Sequence, residues 1–248
     1  MKKVILIPGL IIFLTLTANA QNLSGSDILI QIDKNLVLDK ALSHVTMIIH
    51  GRAGTRTIQS KNWIEGKSKA FVEYTDPPRE KGKKMLKLND QLWNYIPEPT
   101  DRIITISGHL LRQSVMGSDL SYEDVTENRK LIDMYNAKII NSEKINDRDC
   151  YVLELTAKQE DVTYFSRKIW VDKERFIPLK EERFAKSGKP IKRCEILEVF
   201  KLENRWYPKR ILYHDLMQNG DGTEYIINSV DLHANIPESQ FTKAALKK

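Results

Sequence analysis

The chain is poor in the residues that build covalent frameworks and metal sites. Its 248 residues include only two cysteines and five histidines. The histidines are scattered at positions 44, 50, 109, 214 and 233, without the close spacing of zinc ligands. The sequence also lacks a Gly-rich phosphate loop, a Gly-x-Ser-x-Gly turn and a His-Glu-x-x-His motif. We therefore expect no metal, no cofactor and no enzymatic activity.

The two cysteines, Cys150 and Cys194, lie in strand-like segments. A disulfide between them requires an oxidising compartment and neighbouring strands with suitable geometry. The alternative is that each is a separate, small, buried hydrophobic side chain. The sequence favours the second interpretation and leaves the first open.

Concentrated charge of one sign is also missing. The formal net charge is +6, but lysine, arginine, aspartate and glutamate are interspersed along the whole chain. A nucleic-acid-binding protein usually gathers its basic residues in a patch or stripe. We therefore expect no nucleic-acid partner.

Long hydrophobic runs are confined to the first twenty residues. Lys2 and Lys3 precede an apolar run, Val4 to Leu16, and Ala18-Asn19-Ala20 gives a small-x-small cleavage pattern. The run is too short for an ordinary membrane span. The sequence therefore predicts a signal peptide over residues 1–20, cleaved after Ala20, and a single domain over 21–248 in the periplasm.

The domain begins with one short helix and continues mainly as strands. Ser24 and Asp27 form a capping-box pattern, followed by apolar residues at helical spacing. Thirteen strand-like segments follow, with short polar breaks between most of them, which predicts antiparallel pairing.

One region, from Gly108 to about Tyr135, interrupts the strand pattern. It contains a second capping-box pattern, Ser121 to Asp124, and predicts one or two short helices or a structured loop. Asp119, Glu123 and Asp124 are the densest carboxylate group, for which helix capping is favoured over a cation site. Ser114 or Ser118 with His109 gives a weak hydrolase hypothesis, without geometric support.

These patterns predict a mainly β fold: an incomplete, strongly curved antiparallel β-barrel with a helical lid. A large sheet must curl, and something must cover its apolar concave face. The N-terminal helix and the mid-chain helical insertion are the expected lid.

A resemblance to a known family rests on two features of the sequence, a pair of short stretches and one longer run. They are Tyr74-Thr75-Asp76-Pro77-Pro78, with the later Leu92-Trp93-Asn94-Tyr95-Ile96-Pro97, and the run from Ile106-Ser107-Gly108 to Asp124. The chain resembles the LolA-like periplasmic lipoprotein carrier family, and the second run resembles its subgroup of outer membrane lipoprotein-sorting proteins. The resemblance implies an apolar cavity for lipoprotein acyl chains, received from an inner-membrane transporter and delivered to an outer-membrane acceptor. The protein is expected to act as a monomer.

The candidate site consists of apolar side chains that alternate with polar neighbours along the strands. They are expected to face one side of the sheet and to leave part of it unfilled, although each also suits an ordinary packed core. The expected cavity residues are Met47, Trp63, Phe71, Trp93, Tyr95, Ile104, Ile106, Leu153 and Leu155. The expected lid residues are Ile28, Ile32, Leu36, Leu110, Leu111 and Met116.

The resemblance departs from the family at one position. The family has an arginine shortly after the tryptophan of the second strand, which helps to hold the lid shut, whereas this chain reads Trp63-Ile64-Glu65-Gly66-Lys67. A lysine lacks the forked donor geometry of a guanidinium. The sequence therefore leaves open how the lid is controlled.

An alternative function is a periplasmic sensor or interaction module of similar fold that docks on a membrane complex.

Overall fold

The computed structural model describes residues 23–248 except Ala53, Asp161 and Asn219. The predicted signal peptide, residues 1–20, lies outside the described residues. No helix in the described part of the chain is long and apolar enough to cross a membrane.

Helix α1, Gly25–Leu36, opens the described chain. The Ser24 hydroxyl accepts a hydrogen bond from the Asp27 amide, and the Asp27 carboxylate accepts one from the Ser24 amide, so the predicted capping box is confirmed. Ile28, Leu29 and Ile32 are fully buried.

In the described part of the chain, thirteen strands form a single antiparallel sheet. They are β1 Lys40–Gly51, β2 Gly54–Glu65, β3 Lys69–Asp76, β4 Lys84–Leu88, β5 Gln91–Ile96, β6 Arg102–Ile106, β7 Tyr135–Ile145, β8 Arg148–Ala157, β9 Ser166–Asp172, β10 Pro178–Phe184, β11 Pro190–Leu202, β12 Arg205–Asp215 and β13 Gly222–Asp231. Their order in the sheet is β6-β5-β4-β3-β2-β1-β13-β12-β11-β10-β9-β8-β7, so β6 and β7 are the two edges. The predicted antiparallel fold is confirmed, and the sheet is not closed into a barrel.

The mid-chain insertion is helical, as expected. It contains a 3₁₀ helix, Gly108–Arg112, and two short α-helices, α2 Tyr122–Thr126 and α3 Leu131–Met134. The second capping box, between Ser121 and Asp124, is also present.

The contacts of α2 show how strongly the sheet curls. Tyr122 accepts a hydrogen bond from Asn94 of β5 at 3.3 Å, and Asp124 accepts one from Arg183 of β10 at 2.8 Å. Seven strands separate β5 from β10 in the sheet. In a flat sheet these strands would lie roughly 38 Å apart, but a five-residue helix is only about 7.5 Å long. The sheet therefore wraps around the helices, and we call the enclosed side the inner face.

The opposite, outer face is covered at one end by the C-terminus, where two 3₁₀ helices lie over strands β3 to β5. These are Glu238–Phe241 and Lys243–Lys247. Phe241 and Leu246 pack with Phe71, Leu86 and Trp93, and we call this group the outer cluster. The strands β3 to β5 are thus buried on both faces.

Candidate functional site

The inner face of strands β1 to β6 and of the adjoining strand β13 carries an apolar surface, which we call the apolar wall. Its buried side chains form one cluster with partly buried tyrosines of β12 and β13. The wall consists of Val45, Met47, Ile49, Ile58, Val72, Tyr74, Met85, Leu92, Ile106 and Ile227.

Residues 107–130, which we call the lid segment, cover this wall. Val115 is fully buried and Leu120 is 2% exposed, and both pack into the wall cluster. Leu110, Leu111 and Met116 are partly buried against the same cluster. The lid side chains thus occupy the space over the wall that the sequence predicts to be empty. In this closed arrangement the lid packs on the wall, and an unfilled inner face that holds acyl chains stays a prediction.

Polar contacts hold the lid segment at its middle. The Asp119 carboxylate accepts hydrogen bonds from the Thr223 hydroxyl at 2.7 Å and from the Asp215 amide at 2.8 Å. The Met116 carbonyl accepts a hydrogen bond from Arg56 at 2.9 Å. Asp119 therefore anchors the lid to the sheet.

The end of the lid segment is attached near the turn where the family's arginine is missing. Asn128 donates hydrogen bonds to the carbonyl of Gly66 at 2.7 Å and to that of Leu38 at 2.9 Å. Lys67, the sequence-based substitute for the arginine, is exposed and lines an open cleft. Closure at this turn therefore uses an amide and backbone carbonyls.

Another lid contact is ionic and buried. Asp124 of α2, 3% exposed, pairs with Arg183 at 2.8 Å and with Lys192. The Tyr164 hydroxyl donates to the same carboxylate at 3.0 Å. Burial favours the neutral carboxyl, but Arg183 and Lys192 outweigh it and hold the pKa of Asp124 well below its ordinary value.

This ionic group extends along the inner face of β9 to β11. Glu181 accepts hydrogen bonds from Arg183 and from Arg167, both at 2.9 Å. Arg167 also lies over the Tyr135 ring, 4.6 Å from its centroid. We call these side chains the Asp124 cluster: Asp124, Tyr164, Arg167, Glu181, Arg183 and Lys192.

Nearby Cys194 also faces the inner side, and burial raises the pKa of its thiol to about 12. Cys150 packs on the outer face with Val152 and Trp170. Strands β9 and β10 lie between the two cysteine-bearing strands. Both thiols are free and buried, which confirms two separate hydrophobic side chains.

The predicted site residues separate into three groups. Met47 and Ile106 lie on the apolar wall under Leu110, Leu111 and Met116. Ile104 is 42% exposed on edge strand β6, on the same side as its cross-strand partner Asn94.

The second group lies around helix α1. Leu153 and Leu155 pack against Ile28, Ile32 and Leu36, and the two strand leucines are fully buried. This helix fills the inner face of β7 to β9.

The third group lies on the outer face of the sheet, although the sequence predicts that it faces inward. Trp63, Phe71, Trp93 and Tyr95 belong to the outer cluster, beneath the C-terminal helices. Phe71 and Val72 are adjacent on β3, so alternation sends one to each face. The expectation that all the cavity residues share one face is therefore wrong for these four aromatic residues.

The carboxylates and hydroxyls of the lid are engaged by the protein itself. Asp124 caps α2, as expected, and Glu123 accepts a hydrogen bond from Thr163. Ser114 donates to the Ser118 carbonyl at 2.6 Å, and Ser118 to the Leu120 carbonyl at 3.3 Å. Within the described ranges, no hydrogen bond joins either serine to a histidine, and no cluster of three potential metal ligands forms.

Three clefts border the lid or α1, and all open to solvent. One of about 570 Å³ lies between the lid and the β4–β5 turn. Another of about 710 Å³ lies beside α1 and Trp206. A third of about 290 Å³ reaches Lys192, Tyr164 and Ser121 of the lid. All three are lined by mixed polar and apolar side chains.

Comparison with solved structures defines the class of fold. A LolA superfamily protein from Nitrosomonas europaea superposes with a TM-score of 0.76 at 24% identity, covering 90% of this chain and 99% of that one. An outer membrane lipoprotein-sorting protein domain from Vibrio parahaemolyticus gives 0.78 at 22%, covering 90% and 98%. A DUF1329 family protein from Desulfovibrio piger gives 0.81 at 23%, covering 90% and 97%. The chain has the LolA-like fold.

A family model described as "-like: Uncharacterized protein" matches residues 66–248. The chain belongs to this family. A comparison with curated proteins finds no match.

Proposed function

We propose that the protein is a periplasmic carrier that binds the acyl chains of lipoproteins, or of related lipids, between the apolar wall and the lid segment. The observation that carries the proposal is the wall itself, a continuous apolar surface covered by a segment that polar contacts hold in place. The LolA-like fold supports the same function.

The apolar contacts between the lid and the wall allow an acyl chain to exchange with the lid side chains. An acyl chain gains about 0.8 kcal/mol for each methylene that it buries. It must displace lid side chains such as Val115 and Leu120, which already gain comparable contacts with the wall. The difference between the two states is therefore moderate, so a carrier of this kind releases its cargo as well as binding it.

The same proposal includes the compartment and the membrane partners of the carrier. The predicted signal peptide directs the chain to the periplasm, where an inner-membrane transporter supplies the cargo and an outer-membrane acceptor receives it. The carrier itself uses no nucleotide.

The packed inner face favours a second candidate function. Helix α1 and the lid fill much of the space that a carrier needs for cargo. A sensor or interaction module of the same fold, docked on a membrane complex, has no need of an open cavity.

Lipid extraction distinguishes the two functions. The full chain is expressed with its predicted signal peptide, purified from the periplasm without detergent, and extracted with organic solvent for mass spectrometry. A carrier yields acyl lipids at a defined molar ratio. Protein that is free of lipid, and that fails to bind a fluorescent acyl probe, contradicts the carrier function and leaves the docking module.

Two isoleucines provide a matched test of where the acyl chain binds. Ile104 on edge strand β6 faces the inner side beside the wall and is 42% exposed, and Ile140 on edge strand β7 is 45% exposed. Neither side chain belongs to a buried cluster of the described residues, so a lysine at either position should be compatible with the fold. We expect Ile104→Lys to weaken acyl-probe binding about tenfold, because a charge replaces an exposed apolar side chain at the margin of the wall. Ile140→Lys is expected to bind normally. Equal affinities for the two variants would place the acyl chain elsewhere.

A further inference from the structure

The Asp124 cluster is a buried ionic group that the binding of acyl chains alone does not require. We infer that Arg183 and Lys192 form a binding site for the anionic group of an acyl-chain amphiphile, and that Asp124 of the lid occupies this site when the lid is closed. The inference rests on the proposed function and adds the chemistry of the ligand's polar end.

The first argument is charge. Lys192 is 3% exposed, and Asp124 is its one ion-pair partner in the described part of the chain. Arg183 is shared between Asp124 and Glu181, and Arg167 also depends on Glu181. If the lid leaves, the three inner-face cations keep one ion-pair partner in the described part of the chain, Glu181. The cross-strand partner of Lys192, Asp215, accepts hydrogen bonds from Met217 and Gln218. Buried cations without counterions are costly, so the open state favours an anion at this position.

The second argument is the number of donors. The Nε atoms of Arg183 and Arg167 are buried and make no hydrogen bond within the described residues. The carboxylate of Asp124 has only two oxygens, and it already accepts hydrogen bonds from Tyr164, Arg183, Lys192 and the Ser121 group. A guanidinium with free donors binds carboxylates and phosphates well.

The third argument is position. Cys194, two residues from Lys192, pairs across the sheet with Tyr213, which packs on the apolar wall and lies 6.4 Å from the Tyr225 ring. An apolar tail on the wall therefore continues along these tyrosines to the cluster. The open cleft of about 290 Å³ reaches Lys192 from outside, which gives the polar end a path to solvent.

Two cations beside an apolar wall favour an amphiphile that combines an acyl chain with a carboxylate or a phosphate group. Fatty acids supply the first anion and anionic phospholipids the second. Neutral acylglycerols share the tail but lack the charge, so they serve as the comparison that isolates the anion site.

The experiment measures the dissociation constants of three probes for the purified full mature chain. The probes are palmitate, palmitoyl-lysophosphatidylglycerol and uncharged monopalmitoylglycerol, each below its critical micelle concentration. We expect at least one anionic probe to bind about tenfold more tightly than the neutral probe. The better of the two anionic probes identifies carboxylate or phosphate as the preferred group.

Variants then assign the preference to named residues. Asp124→Asn removes the competing carboxylate and is expected to increase the preference for the anionic probe by about tenfold. Lys192→Gln and Arg183→Gln are each expected to abolish it. Circular dichroism and thermal unfolding establish that each variant is folded. If one of the two cation variants does not fold, the other one provides the test of the anion site.

Two controls separate the anion site from loosening of the lid. Asp119→Asn weakens another lid anchor without vacating the cations, so it is expected to change the affinities for all three probes by the same factor. Glu123→Gln alters the neighbouring carboxylate, which contacts Thr163 and Arg129, and should leave the preference unchanged.

The outcomes are distinct for the two proposals. Equal affinities for charged and neutral probes, in the wild type and in Asp124→Asn, overturn the anion site and leave the carrier function intact. A preference that survives in either folded cation variant also overturns it. If no probe binds to any variant, the carrier function and the anion site both fail.

Discussion

At the scale of single residues, Asp124 has two structural roles. Its carboxylate completes the capping box of α2, and it neutralises two cations that belong to the sheet. The first role is visible in the sequence because it links residues three positions apart. The second links residues 59 and 68 positions apart, so no local pattern indicates it.

We predict that the contribution of Asp124 to stability depends on pH in one direction. Its pKa in the folded protein lies below its ordinary value of 3.8, so its stabilising contribution is complete above that value. The contribution decreases as the pH falls towards the folded pKa. Asp124→Asn should lower the free energy of unfolding by roughly 3 kcal/mol between about pH 5 and pH 8, because it leaves buried cations unpaired.

Urea unfolding of the wild type and the variant at several pH values measures this difference. The difference should shrink below about pH 4, at any pH where both proteins are still folded. A difference of constant size down to pH 3 would show that Asp124 stabilises the fold by packing or capping instead of charge.

At the scale of secondary structure, the sequence predicts most of the elements correctly. Strands β4 and β5 are separated by Asn89-Asp90, as the turn signal indicates, and Asn89 adopts a positive φ of 53°. Both capping boxes are present. These features are local, so the sequence contains the whole signal.

The assignment of faces could not be read from the sequence. Leu92 and Trp93 are adjacent on β5 and are both buried, one in the wall and one in the outer cluster. Where both faces of a strand are apolar, alternation separates the two sets of side chains without saying which one points inward. No pattern in the sequence indicates the C-terminal helices that cover the outer face and so bury Trp93.

Because the inward face is unknown from the sequence, no sequence pattern indicates the Asp124 cluster. Arg167, Glu181, Arg183 and Lys192 all occupy inward positions on three adjacent strands. Charged residues on strands ordinarily face solvent, so these positions become informative only after the face is known.

Helix α1 supports a prediction about how closely it lies on the sheet. Gly25 is buried, and a Cβ atom at this position would collide with the backbone carbonyl of Ala137 on β7. We expect Gly25→Ala to destabilise the protein by about 2 kcal/mol, because the helix must move away from the sheet. Ser26→Ala, on the exposed side of the same turn, should change stability by less than about 0.5 kcal/mol.

Thermal and urea unfolding of the two alanine variants provide the measurement. If Gly25→Ala is as stable as Ser26→Ala, the helix has room to adjust. Helix α1 would then be a movable part of the lid and not a fixed filling of the inner face.

At the scale of the whole molecule, the inner face has two parts with different character. Around α1, helix and strand side chains are completely buried in one cluster. Over strands β1 to β6, the lid segment is short, contains little regular helix and is tied to the sheet by Asp119, Asp124 and Asn128. We expect the lid segment to be the part of the molecule that opens, because it has little regular helix, and an anionic ligand can take the place of Asp124 beside the inner-face cations.

The measurement that tests this account most directly is the distance between the lid and the sheet with and without an acyl ligand. Spin labels are placed at Gln113 of the lid and Lys61 of β2, both exposed, in a background where Cys150 and Cys194 are replaced by serine. Pulsed electron resonance then gives the distance distribution. We predict one short distance in the free protein and a longer one when a saturating palmitoyl ligand is bound. An unchanged distribution in protein shown to have bound the ligand would contradict the claim that acyl chains bind beneath the lid.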